Sequence, residues 1–277
     1  MTAREALREA RSRFEVAGLD TPHADAELLV AHLLGTTRSG LHADGDRELG
    51  AQDLAELERL AARRAAREPL AYVLGEWGFR RLTLTVDRRV LVPRPETEIV
   101  VERCLARLAS LAEPRVLDVG TGSGAIALAI ADEHPGARVV ALDASEDALA
   151  VARANAERTG LAVELVRADL FDGLPAGPWD LVVSNPPYVG GDEIELLAPE
   201  VRDWEPRASL VGEGATETVA VAALAVLRPG GALVLETAGG DAGRVAEHLR
   251  GLGYVDVRAT EDLAGRSRVA EGVASGG

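Results

Sequence analysis

The chain has 277 residues, 47% hydrophobic and 27% charged, an ordinary globular composition that excludes wholesale disorder and fibrous repeats. That length accommodates about two domains, each with a real core. The 45 acidic residues outnumber the 30 basic ones, all of them arginine, and the resulting net charge of −15 disfavours unaided binding to a phosphate backbone. The longest apolar run, Val219 to Leu227, is far short of the ~20 residues of a membrane span, and the acidic, Arg-rich N-terminus has no signal-peptide core. A cytoplasmic protein with no membrane contact and no direct nucleic-acid contact is expected. Cys104 is the only cysteine, and His23, His32, His42, His134 and His248 lack ligand spacing, so neither a disulfide nor a metal is expected.

The first seventy or so positions read as helices. Thr2 and Glu5 form a capping-box pattern, after which Leu7, Ala10, Phe14 and Ala17 recur at helical spacing. Thr21 as a cap and Pro22 in the first turn start a second helix, which carries Leu29, Val30, Leu33 and Leu34 and stops at Gly35. A third starts near Asp53, buries Leu54, Leu57 and Ala61, shows Arg63, Arg64 and Arg67 to solvent or a partner, and ends before Pro69. Residues 1–72 are thus expected to form a helical bundle that supports the structure or docks a partner. From Trp77 to Val92 the pattern alternates, with Leu82, Leu84 and Val86 separated by Thr, which predicts a hairpin linker over 73–92.

Beyond it, short apolar strands at Val116–Val119, Val139–Leu142, Val163–Val166, Leu181–Val183 and Ala232–Leu235 alternate with helices such as Ala125–Asp132 and Asp147–Arg158. This is the rhythm of an α/β, doubly wound parallel sheet over 93–277, closed by a short flexible tail at 274–277. Ligands in such sheets bind at the carboxyl ends of the strands. After the first strand come Gly120, Thr121, Gly122, Ser123 and Gly124, a turn that lets a ligand approach the backbone and aims helix-start amides at it. Gly120, Gly122 and Ala125 fit a dinucleotide fingerprint equally well. After the second stands Asp143, placed to accept both hydroxyls of a ribose or to cap a helix, with Ser145 an alternative cap. After the third, Asp169, Leu170 and Phe171 suit an adenine ring, or form an exposed turn.

The fourth strand end reads Asn185-Pro186-Pro187-Tyr188. Two prolines remove two amide donors and stiffen the turn, so the site collects acceptors. The Asn185 side-chain oxygen and the Pro186 carbonyl can accept both hydrogens of a planar NH2 group while the Tyr188 ring packs on its face. Arg94 and Glu98 either frame the pocket or pair with each other at four-residue spacing. The long connection from Val189 to Gly214 is expected to form a lid or substrate rim, with Glu195, Glu200 and Glu205 suiting a basic partner.

Together these features resemble class I S-adenosylmethionine-dependent methyltransferases acting on planar amino groups. Two subgroups share the tetrapeptide, adenine-N6 nucleic-acid methyltransferases and protein glutamine methyltransferases. Glu68-Pro-Leu-Ala-Tyr-Val-Leu-Gly75, Phe79 and Leu91-Val-Pro-Arg-Pro-Glu-Thr-Glu98 are similar to the release factor glutamine methyltransferase family. The likeness continues through Glu200-Val-Arg-Asp-Trp-Glu-Pro-Arg207, Arg228-Pro-Gly-Gly231 and Asp262-Leu-Ala-Gly-Arg-Ser-Arg-Val269. The resemblance implies a Rossmann-like methyltransferase domain joined by the hairpin to a small helical domain. It implies S-adenosyl-L-methionine as cofactor, S-adenosyl-L-homocysteine as product, and the glutamine of the Gly-Gly-Gln motif of class-1 peptide chain release factors as substrate. By the same resemblance Gly120 to Gly124, Asp143, Asp169 to Phe171, Phe79 and Asn185 surround the cofactor, and Asn185 to Tyr188 hold the glutamine amide. One departure is visible: Thr237 and Ala238 follow Glu236 where the family usually reads x-Gly, and Gly239 comes one place later.

The chief alternative is an adenine-N6 methyltransferase, for which the only basic candidates are Arg63, Arg64 and Arg67 and the run Arg80, Arg81, Arg88 and Arg89. A nicotinamide-dependent oxidoreductase would use the same glycines but has no task for Asn-Pro-Pro-Tyr. A non-enzymatic translation-factor binding protein with a degenerate methyltransferase fold is the third.

Overall fold

Helix α1 (Ala3–Val16) opens on the capping box read from the sequence: Glu5 N donates to Thr2 Oγ1 (3.3 Å) and Thr2 N to Glu5 Oε2 (2.8 Å). The structure is a computed structural model that describes residues 1–262 and 264–276. The buried stripe of α1 is Ala3, Ala6, Ala10 and Phe14; Leu7 is half-buried and Ala17 is the C-cap. Helix α2 (Pro22–Leu33) carries its proline in the first turn, but Thr21 does not cap the backbone, its hydroxyl donating instead to Asp25 (2.8 Å). Helices α3 (Arg38–Ala43), α4 (Ala51–Ala65) and α5 (Leu70–Leu74) follow. At six and five residues, α3 and α5 are too short to display a 3.6-residue stripe, which is why the sequence pattern misses them. Helix α4 starts two residues before Asp53, which sits at N3 and accepts from Gly50 N (3.0 Å).

The chain divides into two units, one formed by Met1–Glu76 with Ala198–Trp204 and the other by Trp77–Leu197 with the residues from Glu205 onward. In the first, the expectation that Arg63, Arg64 and Arg67 are shown to solvent or a partner is corrected: Arg64 is buried, Arg63 and Arg67 are half-buried, and all three bind carboxylates of their own unit. Arg64 lies seven residues after Leu57 and four after Leu60, on the buried stripe of α4, and is 6% exposed. Its Nε donates to Asp25 (2.7 Å) and its Nη1 to Glu200 (3.0 Å), while Arg67 Nη2 donates to the other Glu200 oxygen (2.8 Å). Arg63 donates to Glu68 (2.8 and 2.5 Å) and to the carbonyls of Tyr72 and Val73. Arg64→Ala would leave Asp25 buried without its counter-charge, and a loss of about 3–5 kcal/mol is expected in urea denaturation. An unchanged midpoint would contradict the buried pairing.

A hairpin follows, β1 (Glu76–Phe79) and β2 (Leu82–Thr85), shorter than the alternating stretch and belonging from Trp77 onward to the second unit. It ends because Asp87 accepts from Arg89 N (3.0 Å) and turns the backbone. Then come α6 (Thr97–Leu108), β3 (Arg115–Val119), α7 (Ala125–Glu133), β4 (Arg138–Asp143), α8 (Glu146–Thr159), β5 (Val163–Arg167) and β6 (Trp179–Ser184). After α9 (Pro199–Arg202), which belongs to the first unit, follow α10 (Arg207–Leu210), α11 (Ala215–Val226), β7 (Leu227–Glu236), α12 (Ala242–Gly251), β8 (Tyr254–Glu261) and β9 (Ser267–Ala274).

The sheet has seven strands in the order β5-β4-β3-β6-β7-β9-β8. β3 to β7, the strands read from the sequence, pair in parallel as a doubly wound sheet requires, and β8 and β9, which the sequence pattern misses, add an antiparallel edge, β9 running antiparallel to both β7 and β8. Ala274, expected in the tail, closes β9; Leu263 of the quoted Asp262–Val269 stretch and Gly277 of the tail lie outside the described residues. Alternation sends Val116, Leu181, Val183 and Val234 into one core with α6 and α7, and Leu117, Val119, Val182, Leu233 and Leu235 into another with α11 and α12. Strand order reverses between β3 and β6, so their carboxyl ends flank the crevice where such sheets bind ligands. Among the described residues no helix is long and apolar enough to cross a membrane.

Candidate active site

The loop after β3 takes its shape from glycine: Gly120, Gly122 and Gly124 all adopt positive φ, at 74°, 55° and 83°. Gly120 N and Thr121 N both donate to Leu142 O (2.9 Å), binding the loop to the end of β4. Asp143, the last residue of β4, accepts from Gly122 N (Oδ2, 2.9 Å) and from Ser145 N (Oδ1, 2.9 Å). Each of its oxygens keeps a second lone pair, so Asp143 can hold the loop and still accept two hydroxyls. Ser145 is the cap of α8, accepting from Ala148 N (3.2 Å). Asn155 escaped the sequence reading, since an Asn inside a helix carries no signal of a distant partner. Fully buried, it donates to Ser123 O (2.9 Å) and exchanges hydrogen bonds with the Thr85 backbone, tying the loop to β2.

Asp118 was also missed. It is wholly buried, accepts from the Thr121 hydroxyl (2.7 Å), and burial lifts its pKa to about 7, with the Thr121 bond opposing and the negative Asp143 reinforcing the rise. The unfolded chain ionises Asp118 near its ordinary 3.8, so between that value and about 7 the folded protein binds the extra proton. The stabilisation is complete below the unfolded pKa and is lost as pH rises through the folded one. Asp118→Asn keeps an acceptor for Thr121 and removes the loss. Its stability relative to the parent is expected to rise by about 3 kcal/mol from about pH 5 to about pH 8 in urea unfolding. Parallel pH dependences would contradict a buried neutral acid here.

These groups line a cavity of about 420 Å³. Gly120, Thr121, Gly122, Ser123, Asp143, Asp169, Leu170, Phe171 and Asn185 all face it, with Ile126 and Leu142. Asp169 accepts from Phe171 N (2.9 Å) at the start of a 3₁₀ turn, and Phe171 is 61% exposed. Gly124 and Pro186 are not in the lining. Phe79 is placed elsewhere: at 1% exposure it packs with Leu84, Val100 and Val116 in the core, because β1 turns that side chain inward.

At the end of β6, Ser184 Oγ donates to Val119 O (2.7 Å) and locks the two strand ends together. The Asn185 amide next to it has no hydrogen-bond partner among the described residues, while Pro187 lines the cavity. Tyr188 lines a second cavity of about 620 Å³, which shares Val211 and Gly212 with the first. A Cβ at Gly212 would lie 2.3 Å from Pro187 Cγ, so only glycine lets this strand of chain close on the turn. Val189 N donates to Leu210 O (2.9 Å), pinning the base of the 189–214 excursion. Arg94 does not pair with Glu98. Its Nη2 lies 2.7 Å from both oxygens of Glu205, a carboxyl that burial raises to about 6 against the pull of Arg94. Glu98 accepts from Arg80 N (2.9 Å). With Glu200 held by Arg64 and Arg67, only Glu195 of the three acidic residues expected to meet a basic partner stands exposed. The departure after Glu236 is accommodated by β9: Thr237 N donates to Arg268 O (2.8 Å) and Gly240 N to Ser267 O (2.9 Å).

The arginines of the hairpin are likewise engaged. Arg80 binds Glu133 and Glu102, Arg81 binds Asp132 (3.0 Å) and Arg89 binds Asp87 (2.6 Å).

Residues 5–75 match the PrmC N-terminal domain and residues 97–225 the methyltransferase small domain. The chain is 40% identical over 280 residues to the release factor glutamine methyltransferase of Caulobacter vibrioides, covering 99% of this chain and 96% of the relative. It is 41% identical over 281 residues to that of Deinococcus radiodurans, covering 100% of each. The chain belongs to the release factor glutamine methyltransferase family. A solved T. thermophilus 16S rRNA N2 methyltransferase, in complex with AdoMet and guanosine, shares the fold at TM-score 0.51 and 18% identity over 72% of this chain and 49% of that one. Like the rest of the release factor glutamine methyltransferase family, this enzyme is S-adenosylmethionine-dependent. Its residues fit that cofactor: the positive-φ loop admits a close backbone approach, Asp143 has lone pairs to spare, and Leu142, Ile126 and Leu170 give apolar walls.

Proposed function

We propose that the enzyme transfers a methyl group from S-adenosylmethionine to the side-chain amide nitrogen of the glutamine in the Gly-Gly-Gln motif of class-1 peptide chain release factors. The observation that carries this reading is the unpartnered Asn185 amide in the Asn-Pro-Pro-Tyr turn, whose Asn185 and Pro187 line the first cavity and whose Tyr188 lines the second. On this reading the inner cavity, with Gly120 to Ser123, Asp143 and Asp169 to Phe171, takes the cofactor, and the glutamine reaches Asn185 from the outer one.

When bound, the cofactor supplies an electrophilic methyl on a sulfonium sulfur. An amide nitrogen is a weak nucleophile because its lone pair is shared with the carbonyl, so the chain's contribution is positioning. Asn185 Oδ1 and the Pro186 carbonyl accept the two amide hydrogens, Pro187 stiffens the turn, and Tyr188 packs on the amide plane. Two acceptors at the nitrogen also stabilise the positive charge that develops there. The proton leaves to water after transfer, which accounts for the absence of histidine from the turn.

Protein is favoured over nucleic acid as substrate by the charges. The outer cavity presents Asp192, Glu193, Glu213, Glu217 and Asp241, and its Arg244 is paired with Glu217 and Asp241. Phosphate would be repelled there, and Arg63, Arg64, Arg67, Arg80, Arg81 and Arg89, which could have offset it, are bound to carboxylates. The helical unit is the candidate docking module for the release factor, and the cytoplasm the place of action. A release factor whose motif glutamine is replaced by glutamate should accept no methyl group, because its side chain has no nitrogen. Transfer to that variant, or to adenine in a DNA duplex offered beside it, would overturn the assignment.

A further inference from the structure

The carboxyl end of β7 holds a charged group that the transfer step leaves unused. Glu236 ends β7, paired with Val269 of β9 and one step beyond the Leu235–Ser184 pairing with β6, which sets it level with Asn185 on the neighbouring strand. It is 1% exposed, and its Oε2 has no hydrogen-bond partner among the described residues. Such a carboxylate is costly to bury. No arginine nearby is devoted to it: Arg94 is engaged by Glu205, and Arg268 by Asp262 (3.3 Å) and Glu96 (3.9 Å). The group acting on Glu236 from β9 is Arg268; from α6 and the segment before it come Thr97, Glu96 and Arg94. Burial holds its pKa up at about 7. From the turn after β6 comes Tyr188, whose hydroxyl pKa is raised first by burial and next by the negative charge of Glu236. Tyr188 is 36% exposed and makes no side-chain hydrogen bond among the described residues, so its hydroxyl is available.

We infer that Glu236 is a positioning residue for methyl transfer: once glutamine occupies the turn, its ionised carboxylate accepts a hydrogen bond from the Tyr188 hydroxyl and fixes the ring against the amide held by Asn185. The inference rests on residues 185–188 being the amide site. A ring held in this way confines the amide to the attack geometry, so the effect falls on kcat and not on KM. Protonation of Glu236 removes the ionic acceptor, so kcat falls as pH drops below about 7. Asp118 titrates in the same range, which is why the variants and not the parent's profile alone decide the assignment.

The test is steady-state methylation of a class-1 release factor across pH by the parent, Glu236→Gln, Tyr188→Phe, the double variant and Asn185→Ala, with cofactor affinity measured calorimetrically on each to report an intact fold. Glu236→Gln and Tyr188→Phe are each expected to lower kcat about tenfold above neutral pH with KM held, a loss of the size a charge-assisted hydrogen bond supplies. The double variant should lose no more than either single one, and Glu236→Gln should lose the acid limb. A parental kcat above neutral pH in Glu236→Gln would overturn the inference, and so would a parental kcat in Tyr188→Phe, a variant that changes only a partly exposed hydroxyl. If Asn185→Ala is impaired while those two behave as the parent, the inference alone fails. A parental rate in Asn185→Ala removes the amide site and the inference together.

Discussion

Asn185→Ala should slow methyl transfer to a release factor about 10²- to 10³-fold while cofactor affinity stays within about threefold of the parent, by analogy with removing one preorganised group from an oxyanion hole. The separation follows from where Asn185 stands. Its backbone continues β6, whose end is held to β3 by the Ser184–Val119 bond, and the cofactor cavity is shaped mainly by the loop after β3 and the end of β4. Truncating the side chain therefore deletes the acceptor for the amide hydrogen and little else. Single-turnover rates with calorimetric binding on the same preparation separate the two effects. A near-parental rate would remove Asn185 from the transfer step.

Asp143→Ala has the opposite signature. The variant loses the acceptor of Gly122 N and of Ser145 N, so both the positive-φ loop and the start of α8 lose an ionic anchor, in addition to whatever the carboxylate accepts from the ribose. At about 1.5–3 kcal/mol per hydrogen bond to a charged group, cofactor affinity should fall about 100-fold or more, while kcat at saturating cofactor changes far less. Asp143→Asn, which retains one acceptor, should fall between. Calorimetry that finds Asp143→Ala binding the cofactor as tightly as the parent would show that the carboxylate neither orders the loop nor meets the ribose.

What the sequence makes legible is what local pattern encodes. The parallel strands are apolar runs stopped by Gly, Asp or Asn-Pro, so β3 to β6 and the chemistry-bearing turns behind them can be read directly. What it hides depends on partners far along the chain. β9 carries Glu271 and Gly272 in its interior, which interrupt any apolar run, yet Glu271 is fully buried because Arg103 and Arg107 of α6 reach it at 2.6–2.9 Å. Arg64 reads as a surface charge until Asp25 and Glu200 are brought to it, and Arg94 finds Glu205 at a separation of 111 positions while ignoring Glu98. Phe79 lies in a stretch characteristic of the family, but the hairpin points it into the core. Asn155 and Glu236 carry no motif. Burial, together with the bonds made or left unmade, is what marks them.

The central claim is tested most directly by incubating the purified protein with S-adenosylmethionine and a class-1 release factor and locating any added methyl group by peptide mass spectrometry. A single methyl on the side-chain nitrogen of the Gly-Gly-Gln glutamine is the expected result. A methyl on any other residue with that glutamine unmodified, or none on the release factor while adenine in a parallel DNA sample is methylated, would contradict it.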